Sequence, residues 1–120
     1  MSKLVMFTDG AARGNPGMAG IGVVLLDEHG NTVTEVSDYI GHTTNNVAEY
    51  KAVIRGLEEA VKFGATEIEA YVDSELVAKQ LSGAYRVKNE GLIPLYQRVL
   101  HLKQKLQLFT VTYVERKLNK

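Results

Sequence analysis

The chain has no cysteine among its 120 residues, which removes disulfides, thiolate metal sites and cysteine nucleophiles from consideration. It also lacks long hydrophobic runs. Leu4-Val5-Met6-Phe7 and Val23-Val24-Leu25-Leu26 are far short of the ~20 apolar residues a spanning helix needs, and the first is too short for the core of a signal peptide. Both absences lead us to expect a cytoplasmic protein. Net charge is missing as well: 14 basic residues cancel 14 acidic ones, so the global basic field of many nucleic-acid binders is absent. No G-x-x-x-x-G-K-[ST] string occurs, so nucleotide hydrolysis lacks its usual phosphate cradle. What is present is an ordinary globular balance, 45% hydrophobic and 23% charged in 13.2 kDa, which excludes disorder and fibrous repeats. We expect residues 1–120 to form one domain.

The zero net charge hides an asymmetry. Residues 1–60 carry four Lys/Arg against eight Asp/Glu, residues 61–120 carry ten against six, and from Lys79 onward the count is nine to two. Such a split can place an acidic, cation-attracting site beside a surface that holds a polyanion, although solvated helix faces produce the same count.

Periodicity changes along the chain. Residues 3–8 read as a strand, and the turn signals Asp9-Gly10 and Asn15-Pro16-Gly17 predict an irregular segment after it. Strands over about 19–27 and 32–40 flank the tight turn at His29-Gly30-Asn31, giving three strands in an antiparallel meander. The period then becomes 3.6: Val47, Tyr50, Ile54, Leu57 and Val61 form one apolar helical stripe ending at Gly64. Asn46 with Glu49 three residues on has the spacing of a capping box. A strand through Ile68, Ala70 and Val72 ends at Asp73, and a short helix spans about 75–82. A longer helix carries Leu92, Leu95, Val99, Leu102 and Leu106, and residues 108–115 form a last strand. The order β-β-β-α-β-α-α-β predicts an α/β fold in which the first and fourth strands run parallel as neighbours. Asp9 and Asp73 then sit together at carboxyl ends of strands, where open α/β sheets place ligands.

Three carboxylates stand out by placement: Asp9, Glu49 and Asp73. Hard divalent cations such as Mg²⁺ take oxygen ligands, typically a few carboxylates with water and substrate phosphate. Each acid also has an ordinary structural use, Asp9 in a turn, Glu49 in the capping box and Asp73 near a helix N-cap. Clustered at one sheet edge, however, they repel one another unless a cation compensates.

The strings TDGAARGNPG (8–17), TTNNVAEYKAVIRGLE (43–58) and VDSELVAKQLSG (72–83), in this order and spacing, resemble type 1 ribonuclease H across nearly the whole chain. The resemblance implies a ribonuclease H-like five-stranded mixed sheet, three antiparallel strands followed by crossover-linked parallel ones, flanked by helices. It implies an endoribonuclease that hydrolyses the RNA strand of RNA/DNA hybrids with two Mg²⁺ ions, Mn²⁺ serving as substitute, and leaves 3′-hydroxyl and 5′-phosphate ends. Asp9, Glu49 and Asp73 match three of the family's four metal-binding catalytic carboxylates. By the same resemblance Gly10, Ala11, Ala12, Asn15 and Asn45 lie where the family meets RNA, and Thr44 and Asn46 match its pocket for a DNA-strand phosphate. Glu75 stands where the family often has a glutamine in the minor groove, and Arg86, Lys88 and Asn89 are candidates for backbone phosphates. A monomer is expected.

The closing residues Val114, Arg116 and Asn119 match the start of the family's last motif, which continues elsewhere into an Ala-Asp pair opening a final helix. The expectation is therefore a truncated or naturally short form without that helix and its fourth carboxylate, with impaired activity. The alternative is a hybrid-binding domain of the same fold with crippled catalysis. A related polynucleotidyl transferase such as an integrase shares the acidic edge but not the GNPG and TNNxAEY strings. His29, His42 and His101 form no metal-ligand pattern, and the six tyrosines read as core-edge residues.

Overall fold

A computed structural model describes residues 2–115. Its first three strands, β1 (Lys3–Gly14), β2 (Gly17–Leu26) and β3 (Thr32–Thr43), form the antiparallel meander. The segment expected to be irregular after residue 8 is instead regular strand. β1 pairs with β2 as far as Gly14↔Gly17, so the whole loop is Asn15-Pro16. The glycines read as breakers serve close approach here: a Cβ on Gly17 would fall 1.5 Å from the Arg13 carbonyl oxygen, so only glycine fits beside that turn. β3 runs to Thr43, three residues beyond the predicted end, because its ladder with β2 resumes after an irregularity at Ala19/Gly20.

Helix α1 (Asn45–Phe63) begins one residue before the predicted cap. Thr44, not Asn46, is the N-cap, its hydroxyl accepting from the Val47 N–H at 3.2 Å. Gly64 ends the helix with φ 95°, as its position predicted. β4 (Glu67–Val72) follows, then α2 (Glu75–Leu81) capped by Ser74, α3 (Ile93–Lys103) and β5 (Leu108–Tyr113). Leu106, predicted on the stripe of the last helix, lies three residues past its end yet still packs against the core.

The strand order is β3-β2-β1-β4-β5, with β1 parallel to β4 and β4 parallel to β5. Alternate residues Leu4, Met6, Val23, Leu25, Ile68, Ala70 and Val72 turn one sheet face toward α1, whose Tyr50, Val53, Leu57 and Ala60 are fully buried. Gly56 lets α1 lie close to the sheet, since a Cβ there would meet the Met6 sulfur at 2.4 Å. Among the described residues no helix is long and apolar enough to cross a membrane.

Candidate active site

The central strands β1 and β4, in register from Lys3↔Glu67 to Thr8↔Val72, deliver Asp9 and Asp73 to the same end of the sheet. Glu49 arrives from the opposite side, on the second turn of α1. It does not close the capping box that the sequence spacing offered. Its carboxylate reaches across to β1 instead, where Oε2 accepts the Gly10 N–H at 2.9 Å and Oε1 accepts the Thr8 hydroxyl at 3.1 Å. Gly10 makes this possible: a Cβ there would sit 2.3 Å from the Ala48 carbonyl carbon and 2.5 Å from the Glu49 nitrogen, so any larger residue would force the helix off the strand.

One carboxylate oxygen from each of Asp9, Glu49 and Asp73 lies within 4.8 Å of the other two. Asp9 is exposed, Asp73 is partly covered, and Glu49 is 1% exposed. Burial, followed by the hydrogen bond and charge of Asp73, pushes the Glu49 carboxyl up to about 8, against the pull of the Gly10 N–H and Thr8 hydroxyl. A carboxyl held this way is starved of positive charge, and a divalent cation among the three acids would reverse the balance. An all-oxygen set at this spacing, graded from buried to exposed, fits a hard cation. The three acids can hold a metal ion, with Glu49 as the fixed member and Asp9 facing solvent.

Beside the acids, the structure ties together residues that stand apart in the sequence. Asn45 Oδ1 accepts the Ala12 N–H at 2.7 Å, and the Asn45 N–H donates to Asn15 Oδ1 at 3.1 Å. The β1–β2 turn and the start of α1 therefore form one polar ridge carrying Ala11, Ala12, Asn15, Thr44, Asn45 and Asn46, with Gly10 buried behind it and its N–H on Glu49. An open groove of about 670 Å³ leads away from Asp9 past Ala11, Arg13, Met18, Gly22 and Tyr39. Other predicted contacts sit apart from this ridge. Glu75 opens α2 and pairs with Lys79 at 3.5 Å. Asn89 turns its side chain onto the Gly91 N–H at 2.8 Å within its own loop, and Arg86 and Lys88 are exposed there. His29, His42 and His101 are exposed. The tyrosines do not share one role: Tyr50 is wholly buried, whereas Tyr39, Tyr85 and Tyr113 are exposed. Arg116 and Asn119 lie outside the described residues.

Two features escaped the sequence reading. Thr8 was only the residue before the first acid, with no local signal for its bond to Glu49. Gln80 is buried and accepts the Tyr50 hydroxyl at 2.7 Å. A polar residue flanked by Val77 and Leu81 on a short amphipathic helix was the available sign.

The sequence profile of the family described as reverse transcriptase-like matches residues 7–120. A bifunctional protein of Mycobacterium tuberculosis, Rv2228c, is 43% identical over 118 residues, 98% of this chain and 32% of that protein. Ribonuclease HI of Halobacterium salinarum is 43% identical over 94% of this chain and 57% of its own length. The chain thus spans between about a third and somewhat over half of these relatives. Among solved structures, the N-terminal RNase H domain of the mycobacterial protein superimposes with a TM-score of 0.96 at 41% identity, covering 99% of this chain and 86% of that one. LC11-RNase H1, from compost and solved in complex with RNA/DNA hybrid, gives a TM-score of 0.91 at 45% identity, covering 97% and 88%. With the sheet order, the three acids and these likenesses in agreement, the chain belongs to the reverse transcriptase-like family and has the fold of type 1 ribonuclease H.

Proposed function

We propose that the chain hydrolyses the RNA strand of RNA/DNA hybrids, with Mg²⁺ held by Asp9, Glu49 and Asp73, or Mn²⁺ in its place. The observation that carries this reading is the meeting of three carboxylates within 4.8 Å beside a ridge of polar backbone and amide groups. Bound as a pair, the ions would supply an activated water and neutralise charge on the scissile phosphate, leaving 3′-hydroxyl and 5′-phosphate ends. The chain's own residues do the rest. Glu49, fixed by Thr8 and Gly10, gives the site a rigid floor. Asp9 and Asp73, brought by separate strands, complete the ligand set from the solvent side.

Recognition of RNA falls to the ridge. Asn45, its Oδ1 already committed to Ala12, has its amide Nδ2 to offer to a 2′-hydroxyl, the group that distinguishes RNA from DNA. The backbone of Gly10, Ala11 and Ala12 and the side chain of Asn15 lie along the same path. Thr44 and Asn46, at the start of α1, suit a phosphate of the DNA strand, where the first-turn N–H groups add their dipole. Glu75, Arg86, Lys88 and Asn89 form an outer set whose role is to meet the duplex further from the acids. The protein acts as a monomer.

The test is to incubate end-labelled hybrid and an all-DNA duplex of the same sequence with the protein and Mg²⁺, with a chelator control. Cutting confined to the RNA strand, dependent on metal and yielding 3′-hydroxyl ends, is the expected result. Equal cutting of both duplexes, or cutting that survives the chelator, would overturn the proposal.

A further inference from the structure

Glu49 and Tyr50 are consecutive on α1, so their side chains leave the helix about 100° apart. One reaches β1; the other reaches α2. The Tyr50 hydroxyl donates to Gln80 Oε1 at 2.7 Å, and both residues are buried, at 0% and 5% exposure. α2 starts two residues after Asp73, with Ser74 as its cap, so the place of Asp73 depends on how α2 is seated. With only seven residues, α2 has little apolar surface to fix its rotation: Val77, Ala78 and Leu81 hold it to the core, and apolar burial is non-directional. A hydrogen bond is directional. It has a short optimum distance and a preferred direction, and a buried one broken on one side leaves an unsatisfied polar group.

A buried hydroxyl–amide pair adds little net stability over an apolar pair of the same shape, so its presence in the core calls for another reason. We infer that Tyr50 and Gln80 are positioning residues that set the distance between Glu49 and Asp73 by locking α2 to α1. The Tyr50 hydroxyl is spent on Gln80 while Glu49 is held by Thr8 and Gly10, so the pair acts through the elements that carry it. The inference rests on the reading of Asp9, Glu49 and Asp73 as a metal site.

The experiment compares the wild-type chain with Tyr50→Phe and with the double variant Tyr50→Phe/Gln80→Met, in which an apolar pair of similar shape replaces the polar one. Two quantities are read: the unfolding temperature without metal, and Mn²⁺ affinity from the signal of free Mn²⁺ in electron paramagnetic resonance. Tyr50→Phe should unfold earlier and bind Mn²⁺ about tenfold more weakly, the scale of loss usual when a residue supporting metal ligands is removed. The double variant should regain the unfolding temperature but not the affinity. A purely structural pair would restore both together, and that result would overturn the inference, as would wild-type affinity in Tyr50→Phe. If the wild-type chain itself binds no Mn²⁺, the metal reading fails and the positioning role falls with it, an outcome distinct from the other two.

Discussion

The two ends of the β1–β4 pair are built on opposite electrostatic plans. Toward the amino end, Lys3 meets Glu69 at 3.1 Å, Ser2 and Thr66 exchange hydrogen bonds, and Tyr71, two residues further along β4, donates its hydroxyl back to the Glu69 carboxylate. Opposite charges are matched there, and the Tyr71 hydroxyl, followed by Lys3, holds the Glu69 carboxyl below its ordinary range. Near the carboxyl end, one pair before Thr8↔Val72, Phe7 stacks on Tyr71 with ring centroids 5.2 Å apart. At the carboxyl end the same two strands, with α1, gather three acids within 4.8 Å. One end is arranged for folding. The other carries like charges that work against folding until a cation arrives, and such a cost is retained where it serves a function.

The largest expected effect comes from removing an acid. Asp73→Asn should lower the metal-dependent rate of RNA-strand cleavage on the order of 1,000-fold, equivalent to about 4 kcal/mol of barrier. At the same time it should raise the unfolding temperature of the metal-free protein, because Glu49 loses its repelling neighbour. Unfolding curves and single-turnover rates on the same preparation check both halves, and a variant that loses activity and stability together would break the contrast between the ends.

Metal itself should act next most strongly. Millimolar Mg²⁺ or Mn²⁺ should stabilise the wild-type chain by roughly 1–3 kcal/mol, a shift of several degrees in unfolding temperature, and Asp9→Asn should blunt the response. Calorimetry with and without the cation decides it. A melting curve indifferent to both ions would leave the acidic cluster without its proposed role.

Legibility in the sequence followed the same division. The three acids were readable because the periodicity set each of them at the end or start of an expected element, and the parallel β1–β4 neighbours followed from a crossover containing a helix. Local turn chemistry misled where tertiary pairing prevailed. Asp9-Gly10 looked like a turn, yet the ladder with β2 carries β1 straight through it. Asn46 and Glu49 had capping-box spacing, but Thr44 took the cap and Glu49 found better donors on β1. Contacts between residues far apart in the chain, such as Thr8 with Glu49 or Tyr50 with Gln80, leave no periodic trace, so they were beyond a single sequence.

A pH titration sharpens the comparison with a smaller effect. The Glu49 carboxyl is raised from an ordinary 4.5 to about 8, so its favourable contribution is fully present below about pH 4.5 and is lost as pH rises through 8. Metal-free protein should therefore lose stability between pH 5 and 8. Saturating Mg²⁺, which favours the ionised carboxylate, should flatten that fall. Denaturant midpoints across this range, measured with and without the cation, give the answer, and parallel pH profiles would contradict the assignment.

The smallest effect is expected at the opposite end. Lys3→Ala breaks the ion pair with Glu69, whose side chains are 44% and 34% exposed. Pairs this open to water are worth about 0.2–1 kcal/mol, because solvent screens the attraction and ordering two long side chains offsets part of it. The loss should shrink further in high salt. Tyr71 keeps its hydroxyl on Glu69, so the carboxylate retains its stronger hydrogen-bond partner and the strands retain the Phe7–Tyr71 stack. Cleavage of hybrid should stay within about twofold of wild type, since the substitution lies at the far end of β1 from Asp9 and alters no group in the acidic cluster. A drop of about tenfold in rate would mean that the two ends are coupled through the strands, and the separation of folding from function along β1 and β4 would have to be abandoned.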